Sequence, residues 1–163
     1  MFSYEAAHRI IICELCQSVI LPGLTSQQWH LRNEPHRLLG DALAATIRLF
    51  EGYELCTVEQ LRLNKPGRDD GCRLIERLQS FDGFCCLHAG CSHCTVSEKY
   101  MKEHVWQAHK IKAKDHKVQP LWKGCKLQTY STAKGRIDYF VVTEESDAGS
   151  TGGRTRASCN ADF

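Results

Sequence analysis

Apolar residues at positions 38, 39, 43, 47 and 50, with alanines at 42, 44 and 45, recur with the spacing of a helix that buries one face. Gly52 follows the last of them and predicts its stop. A second helical stretch, KYMKEHVWQAHKIK from Lys99, contains no Pro or Gly, and Thr95-Val96-Ser97-Glu98 ahead of it has the form of a capping box. Thr25-Ser26-Gln27-Gln28 has the same form and predicts a helix entering at Trp29, which Pro35 should end or kink before His36. The runs LQTY and RIDYFVV favour β structure and flank STAKG, so they read as a hairpin. Residues 64 to 72, NKPGRDDGC, read as a loop, and CRLIERLQSF after them as a short helix or turn in a weakly structured linker. The polar, glycine-rich stretch from 144 to 163 reads as disordered.

The remaining signal is cysteine and histidine spacing. Cys86-x4-Cys91-x12-His104-x4-His109 fits the zinc-finger form C-x2-4-C-x12-H-x3-5-H. Two cysteines on a short knuckle can aim both thiolates at one ion, and two histidines about one turn apart on a helix can close the tetrahedron. Phe84 and Met101 stand where such a finger puts its small core, whereas Thr95 stands where a large aromatic is usual. Cys85 or Cys94 could replace a partner, but Cys86 and Cys91 restore the twelve-residue spacer. Cys13-x2-Cys16-x13-His30-x5-His36 repeats the pattern more loosely, with one extra residue in the middle and its histidines at the wide end of the range. Cys56, Cys72, Cys125 and Cys159 lack metal-ligand neighbours and read as ordinary thiols. His8, His88, His93 and His116 read as surface or loop residues, with His116 a competitor for metal, and Trp29, Trp106 and Trp122 as core or interface aromatics.

These pieces predict a small α+β fold: two separated ββα-type C2H2 zinc-finger modules, a helical and loop linker, a C-terminal β-hairpin and a disordered tail. The boundaries are 10–37 for the first finger, 38–82 for the linker, 83–112 for the second finger, 113–142 for a basic segment with the hairpin, and 143–163 for the tail. A chain of 163 residues with 42% hydrophobic and 25% charged residues lies in the globular range. The N-terminus lacks the regions of a signal peptide, and no apolar run reaches the roughly 18 residues that span a bilayer. With no secretory signal, ten cysteines would stay mostly reduced, which favours metal binding over a disulfide framework and an intracellular site, nucleus or cytoplasm.

The residues of IICELCQSVILPG with WHLRNEPHRLL, then DGFCCLHAGCSHCTVSEKYMKEHVWQAH, then WKGCKLQTYSTAKGRIDYFVV, resemble the fungal family named for orsellinic acid biosynthesis protein D over roughly residues 10 to 142. The resemblance implies a fungal protein with two C2H2-type zinc sites, at Cys13, Cys16, His30, His36 and at Cys86, Cys91, His104, His109, and with no established activity.

Charge then bears on the partner. The net charge is only +2, yet residues 98 to 126 carry eight lysines against three carboxylates. Lys99, Lys102, Lys110 and Lys112 could hold nucleic-acid phosphates, although a solvated lysine-rich helix explains the same charges. The places where finger helices touch bases fall near Ser97, Tyr100 and Glu103, without an arginine to pair with guanine, and 49 residues separate His36 from Cys86. No HExxH and no glycine-rich phosphate loop occurs. The expectation is therefore a non-enzymatic protein with two zinc ions, serving as a protein-interaction or scaffold module of unknown partner; the alternative is a nucleic-acid binder of weak sequence specificity.

Overall fold

The computed structural model describes residues 1–144, so the expected disordered tail lies from residue 145 onward outside the described residues. Its architecture is α+β, with two antiparallel sheets and four α-helices. The first sheet has the order β1(Phe2–Glu5), β2(Ile10–Cys13), β3(Ser18–Ile20). All four residues of β2 are buried. A strand points alternate residues to opposite faces, so Ile11 and Cys13 enter a core with α1(Leu24–Arg32) and α2(Gly40–Glu51), while Ile10 and Ile12 enter another on the far side.

α2 follows the apolar pattern through buried Leu43, Ile47 and Phe50, but it starts at Gly40, leaving Leu39 exposed as its N-cap. Gly52 caps its end, where the Gly52 amide donates to the carbonyls of Leu49 and Phe50. α1 differs more from expectation. It begins at Leu24, five residues before Trp29, and Thr25 lies inside it rather than capping it. The cause is Gly23, whose φ of 101° is open to glycine and turns the chain into the helix without a side-chain cap.

The stretch expected to be a weak linker is packed. Thr57 and Gln60 form a capping box that starts α3(Val58–Leu63): the Gln60 amide donates to Thr57 Oγ1 at 3.1 Å and the Thr57 amide to Gln60 Oε1 at 2.8 Å. Of the helix or turn expected over residues 72–81, the turn is found, at Glu76 and Arg77, with Arg73 bridged to Thr143 before it and Phe81 already in strand. Cys56, Leu61, Ile75 and Leu78 then join Ile10, Ile12 and Val19 of the first sheet, Phe140 and Val142 of the second, and Tyr130 just after β6, in one core.

The second sheet has the order β5(Cys94–Thr95), β4(Phe81–Cys86), β6(Trp122–Thr129), β7(Tyr139–Val142). β4 pairs with β6 from Phe81 opposite Leu127 to Cys86 opposite Trp122, so the C-terminal hairpin extends the sheet of the second block. Only the last four residues of RIDYFVV are strand; Arg136 and Ile137 belong to an exposed loop that turns at Ala133. The side chain of Gln128, fully buried on β6, fastens the linker. It accepts from the Ile75 amide at 2.8 Å and donates to the carbonyls of Ile75 at 2.9 Å and Leu78 at 3.1 Å. α4(Glu98–His109) packs on the Cys86 face of the sheet, capped by Ser97 and ended by Lys110 in the left-handed conformation.

Candidate metal centres

Each centre is assembled by a strand end, a turn and a helix. In the first, Cys13 ends β2 and Cys16 sits in the turn to β3, where the Cys16 amide donates to Cys13 Sγ at 3.4 Å. His30 lies in the last turn of α1. A histidine six residues further on would stand about 240° around a continuous helix, so the chain must leave the helix for His36 to reach the same ion. It does: α1 ends at Arg32, and the His36 and Arg37 amides both donate to the Asn33 carbonyl at 3.0 Å. The Leu38 amide donates to Leu31 at 2.8 Å, closing the loop, and the Phe2 ring lies 5.5 Å from that of His36.

In the second, Cys86 ends β4, Cys91 lies in the loop before β5, and His104 and His109 stand on α4. The knuckle is closed by the Cys86 amide donating to the His93 carbonyl at 3.0 Å and the Cys91 amide to the His88 carbonyl at 3.1 Å. Cys86, Met101, Val105 and Trp122 make the core beneath it, with Phe84 partly buried beside them. Trp122, from β6, supplies the aromatic bulk that Thr95 does not. His116 stacks on Trp122 at 3.7 Å and its Nδ1 accepts from the Leu121 amide at 3.0 Å, so it is occupied away from the donors. The rings of His88 and His93 stack on those of His109 and His104, each at 3.9 Å.

The eight residues singled out by spacing therefore come together in two groups of four, and within each group one donor atom per residue lies within 4.8 Å of the others. The finer distances test the fit. Cys13 Sγ and Cys16 Sγ stand 3.2 and 3.4 Å from His36 Nε2, and His30 Nε2 stands 3.1 Å from it. Cys86 Sγ lies 3.4 Å from His109 Nε2 and Cys91 Sγ 3.3 Å from His104 Nε2. Zn–S near 2.3 Å and Zn–N near 2.05 Å at tetrahedral angles give edges of about 3.6 Å for S···N and about 3.3 Å for N···N. The observed separations lie within a few tenths of an ångström of those edges.

Electrostatics agree. Burial lowers the pKa of His30, His36 and His109, and burial followed by the neighbouring histidines takes His104 down to about 4, so the imidazoles are held neutral, the ligating form. Burial and the adjacent Cys13 push the Cys16 thiol up to about 11, and burial raises Cys86; a bound cation reverses both by favouring thiolate.

Cys85 and Cys94, the alternative ligands, do not join the donors. Cys85 faces the opposite side of β4 with Leu127 and Val141, and Cys94 packs beside it. Trp29 and Trp106, expected as core or interface aromatics, lie outside the core, 68% and 52% exposed. One residue of the second centre carries no pattern signal. Arg68, in the loop 64–72, has a side chain only 17% exposed, and its Nη1 donates to the Cys86 carbonyl at 2.7 Å while Nε and Nη2 hold the Asp69 carboxylate.

The model of the family described as Orsellinic acid/F9775 biosynthesis cluster protein D matches residues 1–110. The chain belongs to that family. The match takes in both donor groups and leaves the last piece of the resemblance, residues 122–142, outside it. No curated protein and no solved structure matches the chain. Among the described residues no helix is long and apolar enough to cross a membrane.

Proposed function

We propose that this protein binds two zinc ions as structural centres in finger-type ββα modules, and that its role is to present a surface to a protein partner rather than to catalyse a reaction. The observation that carries the reading is the convergence of two sulfurs and two imidazole nitrogens in each group, at separations close to a tetrahedral shell. Borderline-soft donors in that geometry suit Zn²⁺ better than the hard cations. Four protein donors would complete each shell and leave no position for a reacting water, which supports a structural role. An intracellular setting, nucleus or cytoplasm, would keep the thiols reduced.

The partner reading is supported by the outer side of α1 and α2. A groove of about 400 Å³ there is floored by Leu43 and Ile47 and flanked by Arg32 and Arg48, and Trp29 and Leu39 are exposed on the same two elements. Apolar surface with an arginine rim is typical of protein contacts. A second reading, weak sequence-tolerant nucleic-acid binding, is favoured by exposed Trp106 sharing a face of α4 with Lys99, Lys102 and Lys110. Against it, Lys102 pairs with Glu98 at 3.0 Å and Lys99 with Glu103 at 4.0 Å, so part of that charge is already neutralised.

Native mass spectrometry of the purified chain tests the metal reading: two zinc ions are expected, and one or none overturns it. Cys86→Ser or His104→Ala should unfold the second centre while the first keeps its ion. Retained amide protection across residues 84–110 in those variants would show that metal is dispensable there. Oligonucleotide binding that falls steeply with salt regardless of sequence would transfer the conclusion to the second reading.

A further inference from the structure

Three cysteines outside both donor groups gather on one face of the second sheet. Side chains alternate along β4, so Cys86 turns toward α4 and Cys85 turns to the other face, where it is fully buried. Cys94 on β5 stands directly opposite Cys85 in the register, whereas Cys125 on β6 stands opposite Gly83, one same-face step away.

The ladder distinguishes the two neighbours. The Cys86 amide donates to the His93 carbonyl, which makes that position hydrogen-bonded and the adjacent Cys85–Cys94 pair the non-hydrogen-bonded kind. In such a pair the Cα atoms approach to about 4.5 Å and the side chains are closest, inside the range of about 4.4–6.8 Å that a disulfide needs. The Cys125 thiol does reach that of Cys85 across the diagonal, as a hydrogen bond to it, but the Cα atoms of a diagonal pair stand roughly 7–8 Å apart, beyond what a disulfide spans without backbone movement. β5 is the edge of its sheet and Cys94 is only partly buried, so a reagent in solution meets Cys94 first.

We propose that Cys85 and Cys94 are an oxidation site that closes to a reversible cross-strand disulfide, separate from both metal centres. With glutathione disulfide as oxidant, the Cys94 thiol, whose pKa burial pushes up to about 12, first gives up its proton; its thiolate attacks one glutathione sulfur, the glutathione S–S bond breaks and one glutathione thiolate leaves, so closure quickens as pH rises. The Cys85 thiolate then attacks the Cys94 sulfur of the mixed disulfide and expels the second. Two protein thiols are oxidised by two electrons, one glutathione disulfide becomes two glutathione thiols, and the two protons released from the cysteines end on them. The bridge closes the loop 85–94, which contains Cys86 and Cys91, and so holds the knuckle in its ligating shape whether or not metal is bound.

The test is to incubate the full chain with glutathione disulfide, block remaining thiols, and map bridges in unreduced peptides while counting zinc in the intact protein. The expected product is two hydrogens lighter, carries a Cys85–Cys94 bridge, keeps its metal, and is restored by dithiothreitol. Its second zinc should need about tenfold more chelator for removal, because the loop is already closed. Cys125→Ser should leave the bridge in place and Cys94→Ser should abolish it. A Cys85–Cys125 bridge, a bridge through Cys86 or Cys91 with loss of metal, or no bridge at all overturns the proposal. The bridge is read independently of metal content, so failure of the zinc reading and failure of this assignment are distinguishable. Should Cys94→Ser fail to fold, the map of the unsubstituted chain and of Cys125→Ser decides.

Discussion

Arg68→Met should weaken metal binding at the second centre and spare the first. The substitution keeps the aliphatic stem and removes the guanidinium, which donates to the Cys86 carbonyl at 2.7 Å. That carbonyl belongs to Cys86, a buried candidate ligand at the end of β4, so the loss acts on the position of the Cys86 sulfur as well as on a hydrogen bond. The positive charge also favours the ionised Cys86 thiol, the form that ligates. A hydrogen bond from a charged group to a partly buried acceptor contributes about 1.5–3 kcal/mol, which corresponds to roughly tenfold to hundredfold in affinity at about 1.4 kcal/mol per decade. Outer-sphere substitutions at metal sites have effects of about the same size. The Asp69 partner adds little, because its carboxylate is exposed.

The assay is a chelator titration followed by NMR, with His104 and His109 signals reporting the second centre and His30 and His36 signals the first. Arg68→Lys should fall between the original and Arg68→Met, since it keeps the charge but not the forked geometry. Equal loss at both centres, or no change at either, would refute the argument.

Three further outcomes follow from the packing and the titrating groups. Gln128→Leu strands the Ile75 amide and two carbonyls in the core and should cost about 3 kcal/mol or more in urea unfolding; an effect below about 1 kcal/mol would mean that the linker is held by other contacts. Gly83→Ala places a Cβ against Leu127 Cδ1 and 2.7 Å from the Thr95 carbonyl, so a loss of about 1–3 kcal/mol is expected, and an unchanged denaturation midpoint would contradict that contact. For pH, the four candidate ligand histidines have folded pKa values below their ordinary 6.5, with His104 at about 4, so the unfolded chain binds more protons between those values. Their contribution is full above pH 6.5 and falls as pH drops toward 4, in the same direction as proton competition with zinc; circular dichroism unchanged at pH 4 would exclude this coupling.

What could be read from the sequence was what short spacing encodes. Both donor groups, the apolar face of α2 and the existence of the C-terminal hairpin depend on spacing within one stretch of chain; α4 carries a local signal too, but its N-cap is Ser97 rather than the Thr95 that opens the expected box. The Thr57-x-x-Gln60 box was equally local and marks α3, but the flanking loop signals concealed a helix of six residues. The start of α1 was misplaced because Gly23 does through its backbone what Thr25 was expected to do through its side chain. Trp122 could not be placed beneath the second centre from spacing, since it reaches Cys86 only through the β4–β6 ladder. Arg68 was invisible for a related reason: an arginine in a Gly-, Asp- and Pro-rich loop reads as solvent-exposed until the fold brings the Cys86 carbonyl to it.

That ladder changes what the 49 residues between the two donor groups do. Fingers that follow a nucleic-acid groove need short, compliant connections so that each can settle into its own site. Here α2, α3 and the turns around Ile75 are built into cores, and the Gln128 side chain fixes the turns to the same sheet that carries Cys86. The alternating faces of β2 extend the connection, with Cys13 on the side of α1 and α2 and its neighbour Ile12 on the side shared with Phe140 and Val142. A displacement at one centre therefore meets packed side chains on the way to the other, rather than being absorbed by a slack tether. Such a frame is poorly suited to reading successive base pairs, and well suited to holding exposed groups such as Trp29 and Arg48 at fixed separations for one folded partner.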